Sequence, residues 1–320
     1  MKKKILAVTL IMMLAVTSLS GCGADKEDKV PTSLSKTLKV TSIDGLGTKA
    51  LDNLDGDYKK SVSKDAEEVS GKILNGDVDG AIMSPTTAAQ LNSKTSNEVV
   101  EISPISIGDL YVVQNSYVQA SRTVRVYNEE TKLSEYKEEK IETKMGFLRG
   151  KTIVAYGKPG DVSQYVLQNL ALKEGYFSIP DENIEWIDDE DKFIERMGNY
   201  QTIGLASKPV VSKLLKENTN VKKVFDLNSK WKDHFDGDIP MNVLLVTKDL
   251  AKNKDDLRVF LNDLGKAIDK AKEGGDKNLV LYTESSRGVS ILKKFNNAMY
   301  DFSAEVMGNE KPKDSFYYSR

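Results

Sequence analysis

Apolar and polar positions alternate along this chain in two repeating patterns, short apolar runs and longer amphipathic segments. The short runs are typical of strands, and the amphipathic segments between them are typical of helices. Because parallel strands need long crossover connections, this order predicts open, mostly parallel α/β sheets flanked by helices. The predicted strands cover residues 38–43, 58–62, 79–83, 151–156, 184–187 and 202–206.

Local signals set the predicted helix ends. Asp65, followed three residues later by Glu68, opens a helix that Gly76 should end. Ser84 should cap the next helix, and Pro209 fits the first turn of a later one. The helix over 162–174 is predicted to stop at Gly175.

The strand–helix pattern occurs twice, which predicts two lobes. Extended apolar runs at 102–113 and 241–247 are the places where the chain would cross between them, and the chain after Thr247 is mostly helical. We therefore expect lobe I to comprise residues 38–108 and 242–320, and lobe II residues 109–241. A charge-rich segment, 129–144, is predicted to be a solvated hairpin or helix rather than a partner site.

The first residues form an export signal. Three lysines, Lys2 to Lys4, precede an apolar run from Ile5 to about Val16 that is too short to span a bilayer. Small residues follow, so residues 1–21 are predicted to be cleaved. The polar segment 22–37 has no periodicity and is predicted to be a flexible tether.

Composition excludes several classes of function. The formal charge is −2 for the whole chain and about −5 without the three signal lysines, so a nucleic-acid partner is not expected. Cys22 is the only cysteine, which rules out an internal disulfide and a thiolate metal site. The only histidine, His234, lacks further ligands at metal-binding spacing and is interpreted as a surface loop residue. No metal or cofactor is predicted.

Ligand-binding residues are predicted where strands end, because open α/β sheets bind ligands outside their carboxyl edges. Four segments lie at such ends and are rich in glycine, proline or hydroxyl groups, which lets a ligand approach backbone N–H groups. An ordinary cap or turn explains each segment equally well on its own. The hydroxyls, backbone donors and two lysines weakly favour a polar or anionic solute. The candidates are Asp44, Gly45, Gly47, Thr48, Ser84, Thr86, Thr87, Lys158, Pro159, Gly160, Ser163 and Lys208.

Enzymatic readings have little support. Gly45-x-Gly47-x-x-Ala50 matches the dinucleotide fingerprint only loosely, because Asp55-Gly56 would break the helix that follows. Ser84 and Ser163 have no histidine near them in sequence, so no nucleophile–base pair is apparent. The prediction is therefore a binding protein with no catalytic residues.

Two resemblances to known families make the predicted function more specific. Leu19-Ser20-Gly21-Cys22 resembles the lipobox of bacterial lipoproteins, in which the peptide is cut before a cysteine that then carries acyl chains. Over nearly the whole mature chain, the motif order resembles solute-binding lipoproteins of ABC importers, in the branch that binds nitrate, sulfonate, taurine and thiamine-pyrimidine precursors. The matching stretches are 73–81, 147–153 with 157–160, 241–250 and 311–318.

The resemblance implies a type 2 periplasmic-binding-protein fold whose two lobes close on a small solute and deliver it to a permease. It implies a monomer held on the outer face of the cytoplasmic membrane by acylated Cys22 alone. An extracytoplasmic enzyme or a ligand-sensing subunit on the same fold remains the alternative. One departure bears on the ligand: Lys208-Pro209 stands where family members often have Glu-Pro.

Overall fold

The computed structural model describes residues 32–43, 45–95, 98–282 and 286–318. Asp44, Cys22 and the predicted signal lie outside these ranges. The strands are β1 (Leu38–Ile43), β2 (Tyr58–Ser63), β3 (Gly80–Met83), β4 (Val99–Ile107), β5 (Leu110–Asn115), β6 (Ser121–Asn128), β7 (Leu133–Lys140), β8 (Ile153–Tyr156), β9 (Ile184–Ile187), β10 (Ile203–Ser207), β11 (Val221–Asp226) and β12 (Pro240–Thr247).

Ten α-helices lie within the described ranges, and none of them combines the length and apolar character that crossing a bilayer requires. They are α1 (Leu46–Asp52), α2 (Ala66–Leu74), α3 (Pro85–Lys94), α4 (Val162–Gly175), α5 (Glu190–Arg196), α6 (Lys208–Glu217), α7 (Leu227–Phe235), α8 (Lys248–Lys252), α9 (Lys254–Glu273) and α10 (Ser286–Phe302).

Ten of the strands form two five-stranded sheets. Sheet 1 has the order β2-β1-β3-β12-β4, and only β12 runs against its neighbours. Sheet 2 has the order β11-β5-β10-β8-β9, and only β5 runs against its neighbours. The predicted class of two open, mostly parallel α/β sheets is confirmed.

Helices cover both faces of each sheet because successive strand residues point to opposite sides. In β3, Ile82 packs with α1 and α9, whereas Ala81 and Met83 pack with α2 and α3. In sheet 2, Val112 faces α4 and α7, and Val113 faces α5 and α6. Each sheet is thus the middle layer of a three-layer lobe.

The last long helix, α10, packs against both lobes. Leu292 belongs to the core of lobe I, whereas Phe295 and Met299 pack into the core of lobe II, with the Phe295 and Trp231 rings 5.5 Å apart. Asn296, fully buried on the same helix, donates to Glu101 Oε2 of β4 (3.0 Å) and to the Tyr317 hydroxyl (3.2 Å). The C-terminal part of the chain therefore joins the two lobes.

The charge-rich segment before β8 is a hairpin. β6 and β7 pair antiparallel from Ser121–Lys140 to Asn128–Leu133, outside the two main sheets. Its large apolar side chains are exposed, among them Tyr136 at 74% and Leu133 at 66%. Of the two predicted forms, hairpin or helix, the hairpin is correct.

The predicted end of α4 agrees with the structure to within one residue: Gly175 is the last residue of the helix, and Tyr176 after it adopts the left-handed conformation, with φ of 52°. One local prediction was wrong. His234 is not in a loop, because it lies in the last turn of α7. The other helix starts agree with prediction: Asp65 and Ser84 accept hydrogen bonds from Glu68 and Thr87 N–H, and Pro209 lies in the first turn of α6.

Candidate functional site

The carboxyl edges of the two sheets are joined by a very short connection. β4 runs parallel to β3 and ends at Ile107, and β5 begins at Leu110 opposite Ser207, the last residue of β10. The link, Gly108-Asp109, therefore connects one carboxyl edge directly to the other. Three peptide units span at most about 11 Å, so the two edges are close at this point.

Residues at the start of α1, directly after β1, make contacts that hold this helix against sheet 1. A side chain at Gly47 would place its Cβ 2.7 Å from Ile82 Cγ2, so glycine here lets α1 approach β3 closely. The Thr48 hydroxyl lies 3.0 Å from the Ser42 hydroxyl and donates to the Ile43 carbonyl (3.2 Å). Gly45 precedes α1 in a left-handed conformation, with φ of 125°. These residues fix α1 at the carboxyl edge of sheet 1.

Three hydroxyl groups cluster at the next strand end of sheet 1. The Ser84 hydroxyl accepts from Thr87 N–H (3.1 Å) and lies 3.0 Å from the Thr86 hydroxyl and 2.7 Å from that of Thr87. Because β1 and β3 are parallel neighbours, this cluster shares an edge with Gly45, Gly47 and Thr48.

In the loop from Gly157 to Asp161, two backbone N–H groups donate to nearby side chains. Lys158 N–H donates to Asp161 Oδ2 (2.8 Å), and Gly160 N–H donates to Gln164 Oε1 (2.8 Å). The Asp161 side chain binds the loop and does not cap α4. Side chains of the same segment thus accept from both amides, which is the internal use of these donors that an ordinary turn would make; a ligand role for Lys158 and Gly160 stays a prediction.

Lys208 contacts the link between the sheets. Its Nζ lies 3.2 Å from Asp109 Oδ2, and its N–H donates to the Asp109 carbonyl (2.8 Å). β8 and β10 are parallel neighbours, so Lys208 shares the carboxyl edge of sheet 2 with Lys158 and Pro159. Ser163, in the first turn of α4, is buried with 6% exposure. The charge of Lys208 is thus compensated at the crossing.

A cavity of about 510 Å³ opens beside the loop that contains Gly160. Its volume falls in the usual range for small-molecule sites. Helix α3 of lobe I forms one wall, α4 and the end of β9 form another, and the chain after α10 closes it. The lining residues are Gln90, Pro159, Gly160, Gln164, Tyr165, Gln168, Asp181, Trp186, Phe302, Ser303, Glu305 and Val306.

Of the predicted site residues that the structure describes, only Pro159 and Gly160 line this cavity. Trp186 could have been found from the sequence, because it lies near the carboxyl end of a predicted strand. Gln90 and Phe302 carry no such signal, since only tertiary packing brings α3 and α10 to lobe II.

Solved structures show the same arrangement of elements. An ABC transporter protein from Parabacteroides distasonis superposes with a TM-score of 0.59 at 13% identity, covering 90% of this chain and 99% of that one. A putative periplasmic sulfonate-binding protein SsuA from Methylobacillus flagellatus gives 0.55 at 12%, covering 90% and 92%. The aliphatic sulphonate-binding protein SsuA from Escherichia coli gives 0.53 at 11%, covering 87% and 84%.

The fold is that of type 2 periplasmic binding proteins. At these identities the likeness concerns the fold, and it agrees with the fold that the sequence resemblance implied. No protein-family model and no curated protein matches the sequence.

Proposed function

We propose that this chain is the solute-binding component of an ABC importer, which captures a small polar solute between its lobes and delivers it to permease subunits. The observation that carries this proposal is the direct joining of two carboxyl edges, with a ligand-sized cavity bounded by Gln90 of one lobe and Gly160 of the other. The neighbours named as ABC transporter or sulfonate-binding proteins add support.

The division into lobes is part of this proposal. Lobe I comprises residues 38–108 and 242–320, and lobe II residues 109–241, acting as a monomer. A solute that contacts both lobes gains contacts only when they close, and it therefore shifts the population toward the closed state.

Membrane attachment is a second part. Cys22 would carry the acyl chains, and residues 22–37 would tether the body to the outer face of the cytoplasmic membrane. Cys22→Ser should release precursor or unanchored protein from the membrane fraction, because the tether has no other apolar anchor. Unchanged retention together with an unchanged N-terminal mass would contradict this.

The neighbours named as sulfonate-binding proteins support a binding role rather than catalysis. His234 lies in the last turn of α7, away from the four strand-end loops, and its Nε2 is 3.7 Å from Oε2 of Glu174 on α4. Within the described ranges, no group of three or more His, Cys, Asp or Glu side chains is arranged to hold a metal ion. No observation favours the enzyme or sensor alternatives.

Mass spectrometry of solute that copurifies with residues 31–320, here called the tether-free body, tests the proposal; this piece keeps the hydrogen bonds from Ser35 to the buried Asp256. The solute should return to protein that has been unfolded, dialysed and refolded, and at a hundred times its Kd it should stabilise the fold by about 2.7 kcal/mol. The absence of any bound or stabilising small molecule would contradict the proposed function.

A further inference from the structure

The cavity beside Gly160 combines aromatic surface with negative charge. Tyr165, Trp186 and Phe302 contribute rings from three separate segments, and Asp181 and Glu305 contribute carboxylates. Neither lysine nor arginine lines it. The charge inside this cavity is thus one-sided.

The two carboxylates lack a protein cation. Asp181 Oδ1 accepts from the side-chain amides of Gln164 and Gln168, at 2.8 Å each, and these amides are neutral. Among the described residues, neither Asp181 nor Glu305 forms an ion pair with a lysine or arginine. Burial raises the pKa of the nearby Tyr165 phenol, and the charges of Asp181, Glu305 and Asp161 raise it further. The negative charges of Asp181 and Glu305 therefore act at the Tyr165 side of the cavity.

The side-chain amide nitrogens of the three glutamines in the cavity already donate hydrogen bonds. Gln164 accepts from Gly160 N–H and donates to Asp181, Gln168 donates to the Ile179 carbonyl (2.9 Å) as well as to Asp181, and Gln90 donates to the Val306 carbonyl (3.0 Å). A neutral polyol needs donors and acceptors to replace its water shell. Ring faces and carboxylate oxygens remain for a ligand here, together with the Tyr165 and Ser303 hydroxyls and the amide oxygens of Gln90 and Gln168.

We infer that this cavity binds a small organic cation, such as a substituted or quaternary ammonium group, held against the rings of Trp186, Tyr165 and Phe302 and neutralised by Asp181 and Glu305. A cation is attracted to ring faces by their quadrupole, most strongly when it is desolvated. This inference rests on the proposed function and assigns its solute class. It departs from the polar or anionic solute that the strand-end loops weakly favoured, because an anion here would face Asp181 and Glu305, two solvent-exposed carboxylates without a protein cation.

Calorimetric titration of the tether-free body tests the inference. The cationic probes are choline, putrescine and benzyltrimethylammonium; the comparison probes are 3,3-dimethylbutan-1-ol, which is the neutral isostere of choline, taurine as an anion, and glucose as a polyol. At least one cation should bind, and choline should bind about tenfold or more tightly than its isostere.

Two charge-removing variants connect binding to these residues. Asp181→Asn keeps an oxygen that can accept from Gln164 and Gln168, so the cavity wall is preserved, and Glu305→Gln removes the second charge. Each should weaken cation binding about tenfold. Glu182→Gln is the matched control, because Glu182 is exposed, adjacent to Asp181 and outside the cavity lining.

The outcomes separate this inference from the proposed function. The inference is overturned if none of the three cations binds, if choline and its isostere bind equally, if taurine or glucose binds in place of the cations, or if Glu182→Gln weakens binding as much as Asp181→Asn. A copurified anionic or neutral solute would overturn the cation assignment and leave the importer role intact. Failure of every solute, copurified or added, would overturn both.

Discussion

Glu101 is a carboxylic acid without access to solvent, on the strand that leads into the inter-lobe link. Burial raises the pKa of its carboxyl from near 4.5 to about 8, and the hydrogen bond from Asn296 opposes this only in part. Glu101 Oε1 and Asn296 Oδ1 have no hydrogen-bond partner within the described residues. A neutral carboxyl group is the form that such a site accommodates at pH 7.

This residue predicts a loss of stability as the pH rises from about 4.5 to about 8. Below about pH 4.5 both states hold the proton; between there and about pH 8 only the unfolded state releases it, so the free energy of unfolding falls as pH rises. Glu101→Gln removes that dependence. Its free energy of unfolding, relative to that of the parent, should therefore rise by a few kcal/mol between pH 5 and pH 8. Urea unfolding across this range measures it.

Glu98→Gln is the control, because Glu98 is 69% exposed and pairs loosely with Lys248. Its free energy of unfolding should stay within about 0.5 kcal/mol of the parent at each pH. Parallel curves for Glu101→Gln and the parent would show that Glu101 is not held neutral.

At the scale of elements, the residue that follows α4 has an unfavourable backbone conformation that a substitution can relieve. Tyr176 is 84% exposed and left-handed, a conformation that is unfavourable for residues with a Cβ and free of cost for glycine. Tyr176→Gly should raise the free energy of unfolding by about 1 kcal/mol, as measured by thermal or urea unfolding. Tyr200→Gly, at a 75% exposed site without positive φ, should lower it by up to about 1 kcal/mol.

The β6–β7 hairpin is an addition to the body rather than a part of its core. Its ends meet where Ile141 N–H donates to the Ala120 carbonyl (2.8 Å), and its strands are absent from the four buried clusters of the described residues. Replacing residues 121–140 by Asn-Gly should close the chain with a two-residue turn. The free energy of unfolding should change by less than about 0.5 kcal/mol, and solubility should rise because exposed apolar side chains are removed.

A loss of cooperative unfolding in that deletion would mean that the hairpin supports lobe II. The double variant Tyr127→Thr with Tyr136→Thr is its control, since it removes exposed aromatic surface from the hairpin while leaving both strands in place.

Sequence reasoning succeeded where the determining interactions are local. Asp65 and Ser84 cap helices through bonds to residues three positions away, and strand alternation reflects the two faces of one sheet. It placed the end of α4 to within one residue, although the left-handed residue is Tyr176 and the absence of a side chain at Gly175 makes room for the Phe177 ring. It missed Gln90, Phe302 and Glu305, which only tertiary packing brings together.

At the scale of the whole molecule, the crossings predict a hinge at the Gly108-Asp109 link and the start of β12. Small-angle scattering of the tether-free body should show a smaller radius of gyration with the copurified solute than without it, since closure brings the lobes together. The refolded, solute-free protein is the reference. Equal radii at saturation would contradict closure.

The two crossings between the lobes lie side by side. Ile107 is the ladder partner of Pro240, and Gly108 N–H donates to the Ile239 carbonyl (2.6 Å), so the connection is a paired ribbon rather than a single thread. Two bonded strands and the helix α10, which packs into both cores, restrain the lobes more than one free linker would. We therefore expect closure to follow one dominant hinge direction, which the distance between a single pair of labels placed across the cleft would report.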